Sequence, residues 1–194
     1  MKNSIFIGLV ALIFFVGLTS AVHAQRDYFT PEEVELIREA QQIDARVSVL
    51  TRAIDRRLAH LKIGASTLKV LSKEAEKWGE LPAASREQYL RDIKLILQKA
   101  IDDIDSLAER PESAVLPDPK QKNAKGYAEL FPKAVRSLAA AAERYLPILQ
   151  SELDKANTAT ETGAIMYSIE MCRQIIESVA KLPTEAPKKK GKNR

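Results

Sequence analysis

The chain has 194 residues, of which 45% are apolar, 29% charged and only 6% aromatic, with seven glycines, and this balance favours an all-α fold over a β-rich one. Its one cysteine, Cys172, excludes an intramolecular disulfide. The net charge of +4 sits almost wholly at the C-terminus, where Lys188, Lys189, Lys190, Lys192 and Arg194 face Glu185 alone, so the body of the chain lacks the basic face expected of a nucleic-acid-binding domain.

Residues 1–24 read as a secretory signal peptide. Lys2 supplies the positive start and Ile5 to Leu18 the apolar run, and Val22-His23-Ala24 places a cut after Ala24. Ile5 to Val22 is barely long enough to span a bilayer, and Thr19 and Ser20 interrupt it. Cleavage would leave about 170 residues, the size of one domain, with no further transmembrane span. The expected location is periplasmic or secreted, in a bacterial envelope.

Thr30 to Ile63 reads as one long amphipathic helix, about 50 Å at 1.5 Å per residue. Leu36, Ala40, Ile43, Val47, Leu50, Ile54, Leu58 and Leu61 recur at steps of three and four. Thr30 and Glu33 have capping-box spacing, Pro31 suits the first helical position, Phe29 and Val34 have the spacing of a hydrophobic staple, and Gly64 supplies the stop. Ser66 to Trp78 follows as a short connecting helix ended by Gly79 and Pro82, with Trp78, the only tryptophan, tacking it to the core.

A second long helix is expected over Ser85 to Glu109, where Ser85 and Gln88 repeat the capping-box pattern. Leu90, Ile93, Leu97, Ala100, Ile104 and Leu107 form its inner stripe, and Asp92, Asp102, Asp103 and Asp105 are assigned to a solvated face. These acids lack the glycine turn and alternating ligands of a calcium loop. Arg110 to Gly126 holds three prolines and reads as a long loop that crosses the fold or hangs free, with a small apolar patch at Ala114-Val115-Leu116. The third helix is expected from near Pro132 to Lys155, with Val135, Leu138, Ala142, Tyr145, Leu149 and Leu153 inward and a kink at Pro147. After a turn over Asn157 to Gly163, a fourth runs to about Lys181 with Ile165, Ile169, Cys172, Ile176 and Val179 inward. Pro183 to Arg194 is polar and expected to be disordered, making weak contact with anionic surfaces.

These elements predict an antiparallel up-down-up-down four-helix bundle with a short connecting helix, over residues 25–182, followed by the basic tail 183–194. No residues are assigned to catalysis, to a cofactor or to a metal. His60 is the only histidine after the signal and sits at a helix end, and Cys172 lies on an inward stripe where a thiol is inert. Paired Glu-x-x-His motifs, a haem-attachment sequence, a phosphate loop and a nucleophile elbow are all missing from the sequence. The candidate polar cluster is Asp55, Arg56 and Arg57, because Arg57 falls on the heptad position of Leu36, Ile43 and Leu50. A charge there must be paired or must reach the end of the bundle. Its expected partner is Glu87 or Asp92, or else Glu152 or Glu161. The sequence thus points to a non-enzymatic interaction or structural protein that meets a protein partner in the envelope. The second reading is a bundle that binds an apolar ligand or haem between its helices, with His60 and Met166 or Met171 as axial ligands.

Overall fold

A computed structural model describes residues 27–61, 77–114 and 126–182. The expected signal peptide, most of the connecting helix at Ser66 to Trp78, Val115 and Leu116 of the loop patch, and the basic tail lie outside the described residues. All the regular structure described is helical: α1 (Pro31–Glu39), α2 (Ile43–His60), α3 (Arg86–Glu109), α4 (Tyr127–Leu153) and α5 (Ala159–Ser178), with 3-10 turns at Pro111–Ala114 and Val179–Lys181.

The long first helix is in fact two. Ala40, at φ −76° and ψ 73°, and Gln42, at φ −79° and ψ 138°, leave the helical region. No glycine or proline marks the break, and the apolar steps Leu36, Ala40 and Ile43 run straight through it, which is why periodicity did not reveal it. Arg46 stabilises the break by donating from Nε to the Ala40 carbonyl at 3.1 Å, so satisfying a helix-end acceptor. The break lets α1 fold back along α2. Thr30 and Glu33 do form the capping box; Val34 is exposed, and Phe29 packs on the Tyr28 ring, 4.5 Å between centroids.

α3 begins where the sequence places it. The Gln88 N–H donates to Ser85 Oγ and the Ser85 N–H to Gln88 Oε1, and all six expected stripe residues are buried. α4 starts a turn and a half earlier than Pro132, at Tyr127, with Gly126 as N-cap. Pro132 and Pro147 both lie inside it. Pro147 and Glu143 are exposed, so water can take the Glu143 carbonyl that the proline leaves without a donor. α5 starts before Gly163, capped by Thr158, whose hydroxyl accepts from the Glu161 N–H at 3.1 Å. Its stripe follows Ile165, Ile169 and Cys172 and then turns to Ile175, leaving Ile176 and Val179 partly exposed.

α2, α3, α4 and α5 share one apolar core, joined by Leu36 of α1 and by Trp78. α4 packs most extensively on α5, α2 packs on α3 and α4, and α3 on α5, while α3 and α4 touch far less and stand across the core from each other. Side-chain contacts give the directions. Arg57 near the end of α2 meets Asp92 near the start of α3, so that pair is antiparallel. Asp44 pairs with Lys133, and Asp55 with Tyr145, so α2 and α4 run parallel. Thr158 meets Glu87, and Lys94 lies over the Tyr167 ring, so α3 and α5 are parallel as well. The expectation that every neighbour runs antiparallel is therefore corrected. The long connection after α3 leads to the helix opposite, not to a neighbour, and this places like-directed helices side by side. No described helix is long and apolar enough to cross a membrane.

Candidate functional site

Arg56 and Arg57 are adjacent on α2, yet both guanidinium groups converge on one carboxylate. Arg57 is 1% exposed, Arg56 6% and Glu33 of α1 0%. Arg57 grips Glu33 with a two-pronged fork, Nη1 donating to Oε1 at 2.9 Å and Nη2 to Oε2 at 2.8 Å. Arg56 Nη1 donates to the same Oε1 at 2.7 Å. The Thr30 N–H donates to Oε2 at 3.1 Å, so Glu33 caps α1 and anchors it with the same carboxylate. The Nη atoms also reach main-chain carbonyls: Arg57 Nη1 that of Ala53 at 2.8 Å, Arg57 Nη2 that of Tyr28, and Arg56 Nη2 that of Gly79 at 2.6 Å.

Asp92 of α3 completes the group, its Oδ2 lying 3.6 Å from Arg57 Nε, which makes no hydrogen bond. Two arginines against Glu33 and Asp92 leave the cluster charge-balanced, which is what allows it to be buried. Burial lowers the pKa of Arg56 and the charge of Glu33 pulls it back up. The Arg56 guanidinium also lies over the Trp78 ring, 5.4 Å from its centroid. Glycine suits position 79 because its φ is +62°, which side chains rarely adopt; a Cβ there would also meet the movable Glu32 carboxyl group at 2.6 Å. The clasp thus ties α1, the end of α2, the chain entering α3, and α3 itself.

The structure divides the expected Asp55, Arg56 and Arg57 cluster. Asp55 turns toward α4, where the Tyr145 hydroxyl donates toward Asp55 Oδ1 at 2.8 Å and the Thr51 carbonyl at 2.9 Å. Burial first, and then the Asp55 charge, raises the Tyr145 pKa well above its ordinary value. Of the expected partners of Arg57 only Asp92 is present, and its assignment to a solvated face is corrected: it is 5% exposed. Glu33 was missed because capping alone accounted for it. Its position, three residues before Leu36 and seven before Ala40, puts it on the buried stripe, and that was the available signal.

Glu152 and Glu161 belong to a second charged group. Arg86 Nη2 lies 2.7 Å from Glu152 Oε2 and Arg86 Nε 3.6 Å from Glu161 Oε2, while Lys155 donates to Glu152 Oε1 at 2.6 Å. Burial opposes ionisation of Glu152, but Lys155 and Arg86 outweigh it and hold its pKa below the usual value. This group joins the start of α3 to the α4–α5 turn.

Cys172 is fully buried and its thiol is pushed up to about 12, so it carries no thiolate at neutral pH. His60 is exposed with its ring against Tyr89, Met166 is exposed on α5, and Met171 is buried in the core; the three occupy different places. Among the described residues no group of three histidine, cysteine or acidic side chains could hold a metal ion. Chemically, the clasp is closed on itself: Glu33 takes four donors, and the arginines reach protein groups on every side. It fastens elements together. Comparison of the chain with known protein families, curated proteins and solved structures finds no match.

Proposed function

We propose that this chain is an exported, non-enzymatic interaction protein of the bacterial envelope, built as a four-helix bundle whose α4–α5 face receives a protein partner. The carrying observation is the pair Met166 and Tyr167, 55% and 66% exposed and adjacent on α5. With Leu153 and Ile169 they line an open groove between α4 and α5, rimmed by Gln150, Glu170 and Arg173. An apolar floor with an aromatic side chain and a rim of both charge signs is the make-up of a protein–protein interface. The polar clusters support the same reading, since their side chains bind one another. Export rests on the pattern of residues 1–24, and intact-mass measurement of the exported protein should give a chain starting at Gln25.

Pull-down from envelope extract with the wild type and with Met166→Asp/Tyr167→Asp tests the groove. A polypeptide retained by the wild type and lost with the variant is the expected result. Equal retention by both, or none by either, overturns the reading.

A further inference from the structure

A second apolar groove opens between α3, α4 and the end of α5. Ile101, Ile104, Phe131, Val135, Ile175 and Leu182 line its apolar part, and its volume is about 390 Å³. Leu182 is both a wall of this groove and the last residue before Pro183. Its φ of −75° and ψ of 149° are those of an extended strand or polyproline helix, as a following proline requires, so the chain passes Leu182 already extended.

The charges around this groove are unbalanced. Asp105 forms part of its wall, Glu109 follows one turn later on α3, and Glu112 lies in the next 3-10 turn; all three are exposed. α3 and α5 run parallel, so both present their negative C-terminal poles here, and neither has a basic residue in its last turn. Arg110, beside Glu109, keeps its charge while donating to the neutral Ser106 hydroxyl, and Lys181 is the one basic residue lining the groove, so three carboxylates stand against these two cations. The chain's own lysine run begins six residues past Leu182. Six extended residues reach about 20 Å, against about 6 Å from Asp105 to Glu109 along α3.

We propose that this groove is the docking site of the chain's own C-terminal segment. Pro183, Ala186 and Pro187 cover the apolar floor, and Lys188, Lys189 and Lys190 lie along Asp105, Glu109 and Glu112. The segment is an electrostatic latch, held at low salt and released by competing anions.

The test uses the full-length chain and the heteronuclear 15N NOE of Gly191, the one glycine in the segment. At about 0.01 M salt the wild type should give a positive NOE, lost at about 1 M, where the screening length falls to about 3 Å. Asp105→Lys/Glu109→Lys should lose it at low salt, and so should Lys188→Glu/Lys189→Glu/Lys190→Glu. The two sets combined should restore it. All the substituted side chains on α3 are exposed, so the fold is retained. A wild-type NOE near zero at low salt, or loss in both variants without recovery in the combination, overturns the latch.

Discussion

Arg57 is where burial and charge meet most sharply. Arg57→Ala leaves Glu33 and Asp92 buried beside a missing charge, and breaking a buried pair in this way costs about 3–5 kcal/mol. Arg38 is exposed and pairs only with Glu35 one turn away, so Arg38→Ala should stay within about 0.5 kcal/mol of the wild type. Urea denaturation of the two variants makes the comparison, and equal midpoints would show that Arg57 faces water. Two titrating residues give opposite pH signatures. Glu152 has a lowered folded pKa, so its contribution is present above the ordinary carboxylate value of 4.5 and is lost as pH falls through the folded one. Tyr145 has a raised pKa, so its contribution is present below 10.0 and is lost as pH rises toward the folded value. Glu152→Gln should flatten the acid limb of stability against pH, and Tyr145→Phe the alkaline limb. A variant with an unaltered limb would show that the residue is not coupled to folding as described.

At the scale of elements, α1 is held by the clasp and by Leu36, which joins the core. It is nine residues long, too short to persist as a helix alone. In one straight helix Glu33 and Arg57 would stand about 36 Å apart. They meet because the chain breaks at Ala40 to Gln42. Releasing Glu33 should therefore free α1 as a unit. In Glu33→Ala the amides of Val34 to Glu39 should exchange with solvent orders of magnitude faster, while those of Ile93 to Ile104 in α3 keep their protection. Uniform loss of protection across both helices would mean that α1 is part of the global folding unit. Gly79 is the second hinge of this region. Gly79→Ala places a side chain at positive φ against the Glu32 carboxyl group, at a cost of about 1–3 kcal/mol in thermal or urea unfolding. A neutral result would mean that the turn relaxes without loss of the Arg56 contact.

At the scale of the molecule, the order of helices around the core decides which side chains become neighbours. The parallel α2–α4 pair brings Asp44 to Lys133 at the start of α4. With antiparallel neighbours Asp44 would instead lie near Lys155, just past its end. Zero-length carbodiimide cross-linking followed by peptide mapping separates the two: an Asp44–Lys133 link is expected, and an Asp44–Lys155 link would overturn the arrangement. The same parallel placement puts the C-terminal poles of α3 and α5, and with them the acidic groove, at one end and the α4–α5 turn at the other.

The all-α class and the inner faces of four helices were readable from the sequence alone, because an apolar stripe at steps of three and four has one way to be buried. Ser85 and Thr30 marked their helix starts for an equally local reason: a capping side chain bonds within one turn. The sequence also placed Arg57 in line with leucines and isoleucines, where it must be paired or reach the end of the bundle, and the structure shows it paired and buried. Its principal partner came only from the tertiary structure. Glu33 lies across a break that no local residue announces, and the fold-back that closes the distance is stabilised by the very contact it makes. Asp92 was misplaced for a related reason, since a carboxylate beside an apolar stripe is outside until a guanidinium arrives to neutralise it. The order of helices was likewise undetermined: the same stripes can be buried in several arrangements, and only packing across the whole core selects the one in which α3 and α4 stand opposite.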